Sequence, residues 1–192
     1  MSSSVSILLL AAGSSQRLGR PKQLLPFRGT TLIRHLAAEA LASKAREVTV
    51  VIGASAEAVR RELSDLGLNI RENNRWGEGL SASIRTGLET LPETAEGVLL
   101  MLCDQPLVTS SLLNTMIDHF AAPDGIVACE YADTVGVPVL LSRKLVPELL
   151  RLSGDVGAKE VLKAHREEVS LIPFPGGALD IDVPGDLEQL RK

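Results

Sequence analysis

Three cations follow the first apolar run of the sequence, in a loop of small residues. The run Leu8–Ala12 leads into a Gly-Ser-Ser segment at 13–15, after which come Arg17, Arg20 and Lys22. Small side chains let backbone N–H groups approach a ligand closely, and fixed positive charge adds attraction. Guanidinium and ammonium groups both suit phosphate oxygens, so the loop predicts a polyphosphate site. The alternative is a basic loop that is merely solvated.

A carboxylate ends another apolar run. Asp104 follows Val98–Cys103 and precedes Gln105-Pro106, so it is expected at the carboxyl end of a buried strand. Carboxylate oxygens suit Mg²⁺, which proteins usually hold with one or two carboxylates plus substrate phosphates. Aspartate is also common where a turn begins. We favour the metal role, because a polyphosphate loop usually acts together with a cation.

Two further carboxylates lie near the end of the chain. Asp180 and Asp182 share one face if the segment is extended, which turns Ile181 toward the core. Pro184 is suited to begin a helix, for which Val183 is a poor cap. Asp182 is therefore either a second metal ligand or a substitute helix cap, and the sequence leaves both open.

Two other segments join small residues to a predicted helix start. In Trp76–Ser83, glycines precede Ser81 and Ser83, and free N–H groups there could face a nucleotide base or phosphate. A simple helix cap explains Ser81 equally well. The same ambiguity covers Gly154–Lys159, which also carries a cation.

Two common phosphate motifs do not fit the first loop. A P-loop has four residues between its first glycine and Gly-Lys, whereas five separate Gly13 from Gly19 and Arg20 follows. The dinucleotide-binding fingerprint Gly-x-Gly-x-x-Gly is absent, as is the acidic residue about twenty positions later. A Rossmann-type redox protein is therefore disfavoured.

The composition is that of an ordinary water-soluble domain with no attraction for nucleic acid or membranes. Of 192 residues, 45% are hydrophobic, 23% are charged and only 3% are aromatic, and the net charge is −4. The negative charge and the scarcity of aromatic residues argue against nucleic-acid binding. The two cysteines make neither a disulfide framework nor a zinc site. Without a signal or membrane-spanning segment, the expected location is the cytoplasm.

Strands alternate with helices along the chain, which predicts a three-layer α/β/α fold around a mostly parallel, Rossmann-like sheet in a single domain, 1–192. Strands are predicted at 5–11, 48–53, 68–71, 98–103, 126–129, 135–141, 169–172 and 179–181. Helices are predicted at 31–42, 55–63 with Ser55 as cap, 81–91, 110–120, 143–151, 157–165 and from Pro184. Ligands of such folds bind at the carboxyl ends of the strands.

These residues, in this order, resemble the nucleotidyltransferases of the molybdenum-cofactor pathway, most closely the cytidylyltransferase branch. The resemblance covers nearly the whole chain. The stretch Leu10–Lys22 is similar to the signature loop LAAGxSxRMGxxK, with Leu18 where Met is usual. The other matches are to WxxGxxxS (Trp76, Gly79, Ser83), DQP (Asp104–Pro106), GDxGA[RK] (Gly154–Lys159) and DIDTPEDL (Asp180–Leu187). Many NTP transferases share the first motif, whereas the set together is specific.

The resemblance implies a fold of the nucleotidyltransferase type with a nucleotide-binding N-terminal half and an acceptor-binding C-terminal half. It implies nucleotide contacts from Leu10, Ala11, Ala12, Gly13, Ser14, Ser15, Arg17, Lys22, Gly79, Ser81 and Ser83. It implies a catalytic set of Arg17, Lys22 and Asp104, with Mg²⁺ on Asp104 and Asp182, and Asp180 is the alternative second ligand. Acceptor contacts are expected from Gly136, Pro138, Gly154, Asp155, Gly157, Lys159 and Asp180. Val137 and Val183 depart from the family's usual His and Thr.

The expected reaction is Mg²⁺-dependent transfer of CMP from CTP to the phosphate of molybdopterin, with release of pyrophosphate. The Ala-Ala-Gly form of the signature loop is associated with CTP rather than GTP. Further expected partners are a molybdoenzyme or its chaperone. Two alternatives remain: a related transferase using GTP or a sugar or other small phosphate acceptor, and a nucleotide-binding chaperone without catalytic activity.

Overall fold

The computed structural model describes residues 4–121, 123–182 and 185–186. In these residues the strands are β1 (Val5–Ala11), β2 (Pro26–Phe27), β3 (Thr30–Thr31), β4 (Glu47–Ile52), β5 (Asn69–Glu72), β6 (Gly97–Leu102), β7 (Ile126–Tyr131), β8 (Thr134–Ser142) and β9 (Val169–Pro173). The α-helices are α1 (Leu32–Leu41), α2 (Ala56–Leu63), α3 (Leu80–Leu88), α4 (Ser110–His119), α5 (Val146–Arg151) and α6 (Lys159–Ala164).

Seven strands form one sheet in the order β5-β4-β1-β6-β8-β7-β9, and β2 and β3 form a separate antiparallel ribbon. Only β8 runs against its sheet neighbours, so the carboxyl ends of the six other strands meet at one edge. The predicted three-layer α/β architecture with a mostly parallel sheet is confirmed. That edge carries the cationic loop after β1 and Asp104 after β6.

Each face of the sheet buries its own apolar core. One core joins the sheet to helices α1, α2 and α4, through residues such as Leu36, Val59 and Leu113. The other joins it to α3, α5 and α6, through residues such as Ile84 and Leu149. All seven residues of β1 are buried, because both faces of this central strand are covered. An apolar strand without alternation is the sequence signature of that position.

One sequence prediction about the chain path is wrong, and one observed ribbon has no predicted counterpart. Residues 179–181 form no strand, because a 3₁₀ turn at Pro175–Ala178 redirects the chain and the N–H of Ile181 donates to the Asp104 carbonyl oxygen. The β2–β3 ribbon was not expected; it turns through Arg28 and Gly29, both with positive φ. Ser55 precedes α2 as predicted, but its side chain makes no capping hydrogen bond. The helix predicted from Pro184 lies largely outside the described residues.

Both cysteines are free and buried. Burial raises the pKa of the Cys129 thiol to about 12, and burial likewise raises that of Cys103. Since thiols react as thiolates, both behave as small core residues, as the sequence predicts. In the part of the chain that the structure describes, no helix is both long and apolar enough to span a bilayer.

A histidine bridge ties α5 to the turn before β9, and it predicts a pH-dependent stability. The Nε2 atom of His165 lies 3.1 Å from both carboxylate oxygens of Glu148, and Nδ1 lies 3.3 Å from Glu168. These two carboxylates raise the pKa of His165. The bridge therefore stabilises the fold fully below the unfolded-state pKa of about 6.5 and is lost as the pH rises through the folded-state value.

We expect the difference in free energy of unfolding between the wild type and His165→Gln to be largest near pH 6 and to shrink as the pH rises; urea denaturation over a pH series measures it. His119→Gln is the matched control, since the His119 ring nitrogen faces the Thr115 carbonyl rather than a carboxylate. A wild-type advantage that grows with pH would contradict the assignment.

Candidate functional site

The loop after β1 is held in place through its carbonyl oxygens. The buried side chain of Gln23 donates from Nε2 to the carbonyl oxygens of Ala11 and Gly13, both at 2.8 Å. The carbonyl oxygen of Ala12 accepts from the N–H of Ala54 at 3.0 Å. Three successive acceptors are thereby directed into the protein, which leaves the donor side of the loop facing outward.

The donors of this loop are free. Within the described residues, the N–H groups of Gly13, Ser14 and Ser15 donate to no protein atom. Ser15 has a left-handed conformation, with φ of 54°, and its hydroxyl accepts from the N–H of Lys22 at 3.0 Å. Successive free N–H groups around a left-handed residue form a concavity that suits an anion. The side chains of Leu10–Ala12 are buried, so this segment can offer a ligand only its backbone.

Two cations and two carboxylates converge beside that concavity. The Nζ atom of Lys22 lies 3.2 Å from Asp104 Oδ2 and 3.0 Å from Asp182 Oδ1. Arg17 Nη1 lies 2.7 Å from Asp182 Oδ2. The Lys22 side chain is only 13% exposed, whereas that of Arg17 is 76% exposed. Lys22 thus lies buried beside both carboxylates, whereas the Arg17 guanidinium pairs with Asp182 at the solvent-exposed side of the site.

The charges of this cluster keep Lys22 protonated. Burial alone would lower the pKa of Lys22, but the carboxylates of Asp104 and Asp182 outweigh it and the pKa is raised. Asp180, which lies near the same carboxylates, has its pKa raised to about 6 by burial and by the charge of Asp104. The site therefore carries a permanent ammonium group at neutral pH.

A small apolar cluster brings the distant C-terminal segment to the loop. Leu18, Leu25 and Ile181 are all buried against one another, with Leu179 packed beside them. As predicted, Ile181 is buried, with no exposed surface. Burying this residue sets Asp182 beside Arg17 and Lys22, a contact across about 160 residues that only tertiary packing provides.

The carboxylates fit a divalent cation. The Oδ1 atom of Asp104 is buried and has no hydrogen-bond partner in the described residues, which is costly for a carboxylate oxygen unless a ligand satisfies it. Both oxygens of Asp182 contact cations, Oδ2 the Arg17 guanidinium and Oδ1 the Lys22 ammonium group. Among the described residues, no three His, Cys, Asp or Glu side chains group as a metal site. Two carboxylates completed by substrate phosphates are the pattern that Mg²⁺ takes.

Trp76 and Gly53 form a second wall of the site beside Ala12. A β-carbon on Gly53 would lie 2.7 Å from the Ala12 carbonyl oxygen and 2.8 Å from the Trp76 β-carbon. Only glycine at position 53 therefore lets the end of β4 approach both neighbours. Trp76 is 38% exposed, which is high for a large aromatic side chain and leaves its ring available to a ligand.

The start of α3 packs on the backbone of the loop between α5 and α6. The N–H of Ser81 donates to the carbonyl oxygen of Gly154 at 3.1 Å. Gly79 has φ of 96°, and a β-carbon there would lie 2.4 Å from the Gly154 carbonyl carbon. The cap interpretation of Ser81 is wrong: Gly79 occupies the cap position, and the buried Ser81 hydroxyl has no hydrogen-bond partner among the described residues.

This contact predicts a large effect for Gly79→Ala, which both strains a left-handed backbone and pushes Gly154 away. We expect a loss of about 1–3 kcal/mol in free energy of unfolding, together with weaker nucleotide binding. Gly77→Ala is the matched control, because nothing lies within 4 Å of a β-carbon at Gly77. Denaturant unfolding measures the loss of stability, and a nucleotide titration measures the loss of affinity. If Gly79→Ala and Gly77→Ala had the same free energy of unfolding and the same nucleotide affinity, the Gly79–Gly154 contact would not have the role described.

Other residues singled out from the sequence make contacts with groups outside the charged cluster. The Ser83 hydroxyl accepts from Asn73 Nδ2 at 3.1 Å and is buried, so it braces the end of β5. Lys159 donates to Thr134 Oγ1 at the start of β8. Gly136 and Pro138 flank a register shift where β8 pairs with β7, and Gly157 lies under the Leu80 side chain. Asp155 has its N–H next to the position of a Gly79 β-carbon.

Sequence reasoning missed two residues that hold the site together, Gln23 and Asn73. Each is a polar side chain that is nine-tenths or more buried, and each fixes backbone next to the candidate site. The available signal was a glutamine directly before Leu24-Leu25, a polar residue at the edge of an apolar run.

Residues 7–169 match the model of the MobA-like NTP transferase domain family. The chain belongs to this family. Its family is one of nucleotidyltransferases, so the membership that the sequence motifs indicated is confirmed at the level of the MobA-like family.

The chain is also similar to two curated bacterial proteins with different names. The chain is 33% identical to nicotine blue oxidoreductase of Paenarthrobacter nicotinovorans, covering 88% of this chain and 86% of that protein. It is 27% identical to purine catabolism protein PucB of Bacillus subtilis, covering 96% and 95%.

Two solved mycobacterial structures are also similar to this chain. The homologue of Mycobacterium tuberculosis Rv0371c from Mycobacterium sp. strain JC1 has a TM-score of 0.86 and 35% identity, covering 99% of this chain and 96% of that one. Rv0371c of M. tuberculosis H37Rv in complex with manganese has a TM-score of 0.79 and 33% identity, each chain being covered to 97%. A divalent metal is therefore bound by a protein similar to this chain.

Proposed function

We propose that this protein transfers CMP from CTP to the phosphate of a molybdopterin-type acceptor and releases pyrophosphate. The observation that carries the proposal is the row of free N–H groups at Gly13–Ser15 beside Lys22, Arg17 and the carboxylates of Asp104 and Asp182. This arrangement offers a triphosphate both backbone donors and fixed positive charge, next to groups that suit its metal. The set of sequence motifs supports the cytidine nucleotide and the pterin acceptor.

In this proposal the two cations have different tasks. Lys22 is buried and held between two carboxylates, so it faces the α-phosphate, where negative charge shifts during transfer. Arg17 is exposed and long enough to follow the β- and γ-phosphates as they become pyrophosphate. The N–H groups of Gly13–Ser15 hold the phosphate chain in line for attack.

No general base is needed for the proposed reaction. A phosphate monoester has a second pKa of about 6, so the acceptor is already an anion at neutral pH. Asp104 and Asp182 would hold Mg²⁺, which would supply positive charge against the negative charge that develops on the reacting phosphate. What the protein itself contributes is position and charge, the usual contributions of an enzyme to transfer at phosphorus.

The proposal is tested by a substrate panel. The protein is incubated with each NTP labelled at the α-phosphate, with molybdopterin or a sugar 1-phosphate as acceptor, with and without Mg²⁺. We expect pyrophosphate and a labelled pterin dinucleotide with CTP, molybdopterin and Mg²⁺ together. Preferred use of GTP or ready use of the sugar phosphate would replace the substrate assignment with the related transferase activity.

Two other functions make different predictions in the same panel. A nucleotide-binding chaperone would bind CTP without releasing pyrophosphate, although the unpartnered Asp104 oxygen favours a metal at the reacting phosphate. An oxidoreductase activity, as in the name of the relative from P. nicotinovorans, would need a redox cofactor and would leave every NTP unchanged. Transfer of label to molybdopterin separates the proposal from both.

A further inference from the structure

The only tyrosine of the chain, Tyr131, ends β7 at the sheet edge that carries Asp104. Gln105 Nε2 lies 3.1 Å from the Tyr131 hydroxyl and 3.4 Å from the Gly177 carbonyl oxygen. Because a carbonyl oxygen can only accept, the Gly177 contact orients the Gln105 amide so that its nitrogen faces both Gly177 and the Tyr131 hydroxyl. The Tyr131 oxygen is then the acceptor of the Gln105 bond, and its own proton is left over. Within the described residues, no atom accepts that proton.

The Tyr131 side chain is packed closely against two glycines and an aromatic ring. A β-carbon on Gly177 would lie 2.4 Å from the Tyr131 ring, and one on Gly136 would lie 2.9 Å from its oxygen. The Phe174 ring meets it edge to face, with centroids 6.1 Å apart. Two glycines and an aromatic neighbour thus hold a hydroxyl group whose proton has no acceptor in the described protein.

The Tyr131 hydroxyl is close enough to the carboxylates of the candidate site to interact with them electrostatically. Burial raises the pKa of Tyr131, and the charges of Asp180 and Asp104 raise it further. The hydroxyl is therefore protonated at neutral pH and is a donor. A neutral donor forms no ion pair with these carboxylates, so its proton remains available to an incoming anion.

We propose that the Tyr131 hydroxyl, oriented by Gln105, donates a hydrogen bond to the phosphate monoester of the acceptor substrate. This inference deepens the proposed function and rests on it, since transfer requires an acceptor phosphate near Asp104. It makes Tyr131 a specificity-determining residue for the acceptor, and it explains the glycine at position 136 as room for the phenol rather than as a ligand contact. The ligand class is a phosphate monoester, with molybdopterin as the expected example.

Single aromatic residues give the test two separate reporters. The full chain labelled with [¹³Cζ]tyrosine has one tyrosine signal, and Trp76 is its only tryptophan. We expect Mg²⁺ and CTP to change the Trp76 fluorescence and leave the Tyr131 signal in place. Molybdopterin and methyl phosphate are each expected to move the Tyr131 signal. A tyrosine signal that ignores both monoesters, or that moves as much with CTP alone, overturns the inference.

Tyr131→Phe keeps the ring and its packing and removes only the hydroxyl. We expect the KM for molybdopterin to rise about tenfold, as loss of one hydrogen bond to a charged group predicts, with the KM for CTP unchanged. Gly136→Ala, which displaces the phenol oxygen, should raise the same KM. If the hydroxyl serves only to satisfy Gln105, Tyr131→Phe will lower the unfolding temperature and leave the acceptor KM unchanged, which overturns the inference.

The two proposals fail in different ways. If the wild type transfers CMP to molybdopterin but Tyr131→Phe has the wild-type acceptor KM, the inference is wrong and the proposed function stands. If the wild type transfers nothing while methyl phosphate still moves the tyrosine signal, the proposed function is wrong and Tyr131 remains a phosphate contact. If neither transfer nor a shift is seen, both are wrong.

Discussion

Asp104→Asn is expected to lower kcat/KM for nucleotidyl transfer by about 10³-fold, because a metal clamp on the phosphates contributes several kcal/mol of barrier lowering. The substitution keeps the size of the side chain and removes the charge that a divalent cation needs. The backbone bond from Ile181 to the Asp104 carbonyl oxygen is untouched, so the chain path at the site is retained. Pyrophosphate release at varied CTP and Mg²⁺ measures the loss.

Asp118→Asn is the matched control for this prediction. Asp118 also pairs with a lysine, Lys44, but on the exposed surface of α4, where the pair contributes little. We expect wild-type kinetics for it. If Asp104→Asn kept more than about a tenth of wild-type activity with unchanged Mg²⁺ dependence, Asp104 would not be a metal ligand.

Lys22→Ala is expected to raise the barrier of transfer by about 2–4 kcal/mol, the cost of removing one preorganised donor at the reacting phosphate. Because the interaction strengthens only as charge shifts in the transition state, the loss should fall on kcat rather than on the KM for CTP. Single-turnover kinetics with saturating CTP separate the two constants. The variant also leaves Asp104 and Asp182 without their shared partner, so its free energy of unfolding should fall as well.

Arg20→Ala separates a specific role of Lys22 from general positive charge in the loop. Arg20 belongs to the same cationic segment but is exposed, and its side chain makes no ion pair in the described residues. We expect a small effect that disappears at high salt, because exposed charges are screened. Full turnover by Lys22→Ala, or equal losses in the two variants, would contradict the role assigned to Lys22.

The sequence predicted the architecture well because its strands are unambiguous. Val5–Ala11 and Gly97–Leu102 are apolar without alternation, which is typical of strands covered on both faces, and both lie where expected to within a residue. From that architecture it follows that the loop after β1 and Asp104 meet at one edge of the sheet. The convergence of Arg17 and Lys22 with the carboxylates is thus a consequence of parallel strand order.

Contacts that depend on backbone approach or on a single buried amide could not be predicted in this way. Gly79 contacts Gly154 through main-chain atoms, and such a contact produces no pattern of apolar and polar residues in the sequence. In the sequence, Gln23 is only a polar residue before two leucines. In the structure, its side-chain amide donates to the carbonyl oxygens of Ala11 and Gly13. The alternation around Ile181 predicts a strand, whereas the N–H of Ile181 donates to the carbonyl oxygen of Asp104, which lies outside any strand.

The central claim is that Asp104 and its neighbours hold a divalent cation together with a nucleoside triphosphate. Electron paramagnetic resonance of Mn²⁺ measures it directly, since the free ion gives a strong signal that binding diminishes. With CTP present, the wild type is expected to bind Mn²⁺ at least about tenfold more tightly than Asp104→Asn, a difference of about 1.4 kcal/mol. Equal Mn²⁺ binding by the two proteins in the presence of CTP would contradict the claim.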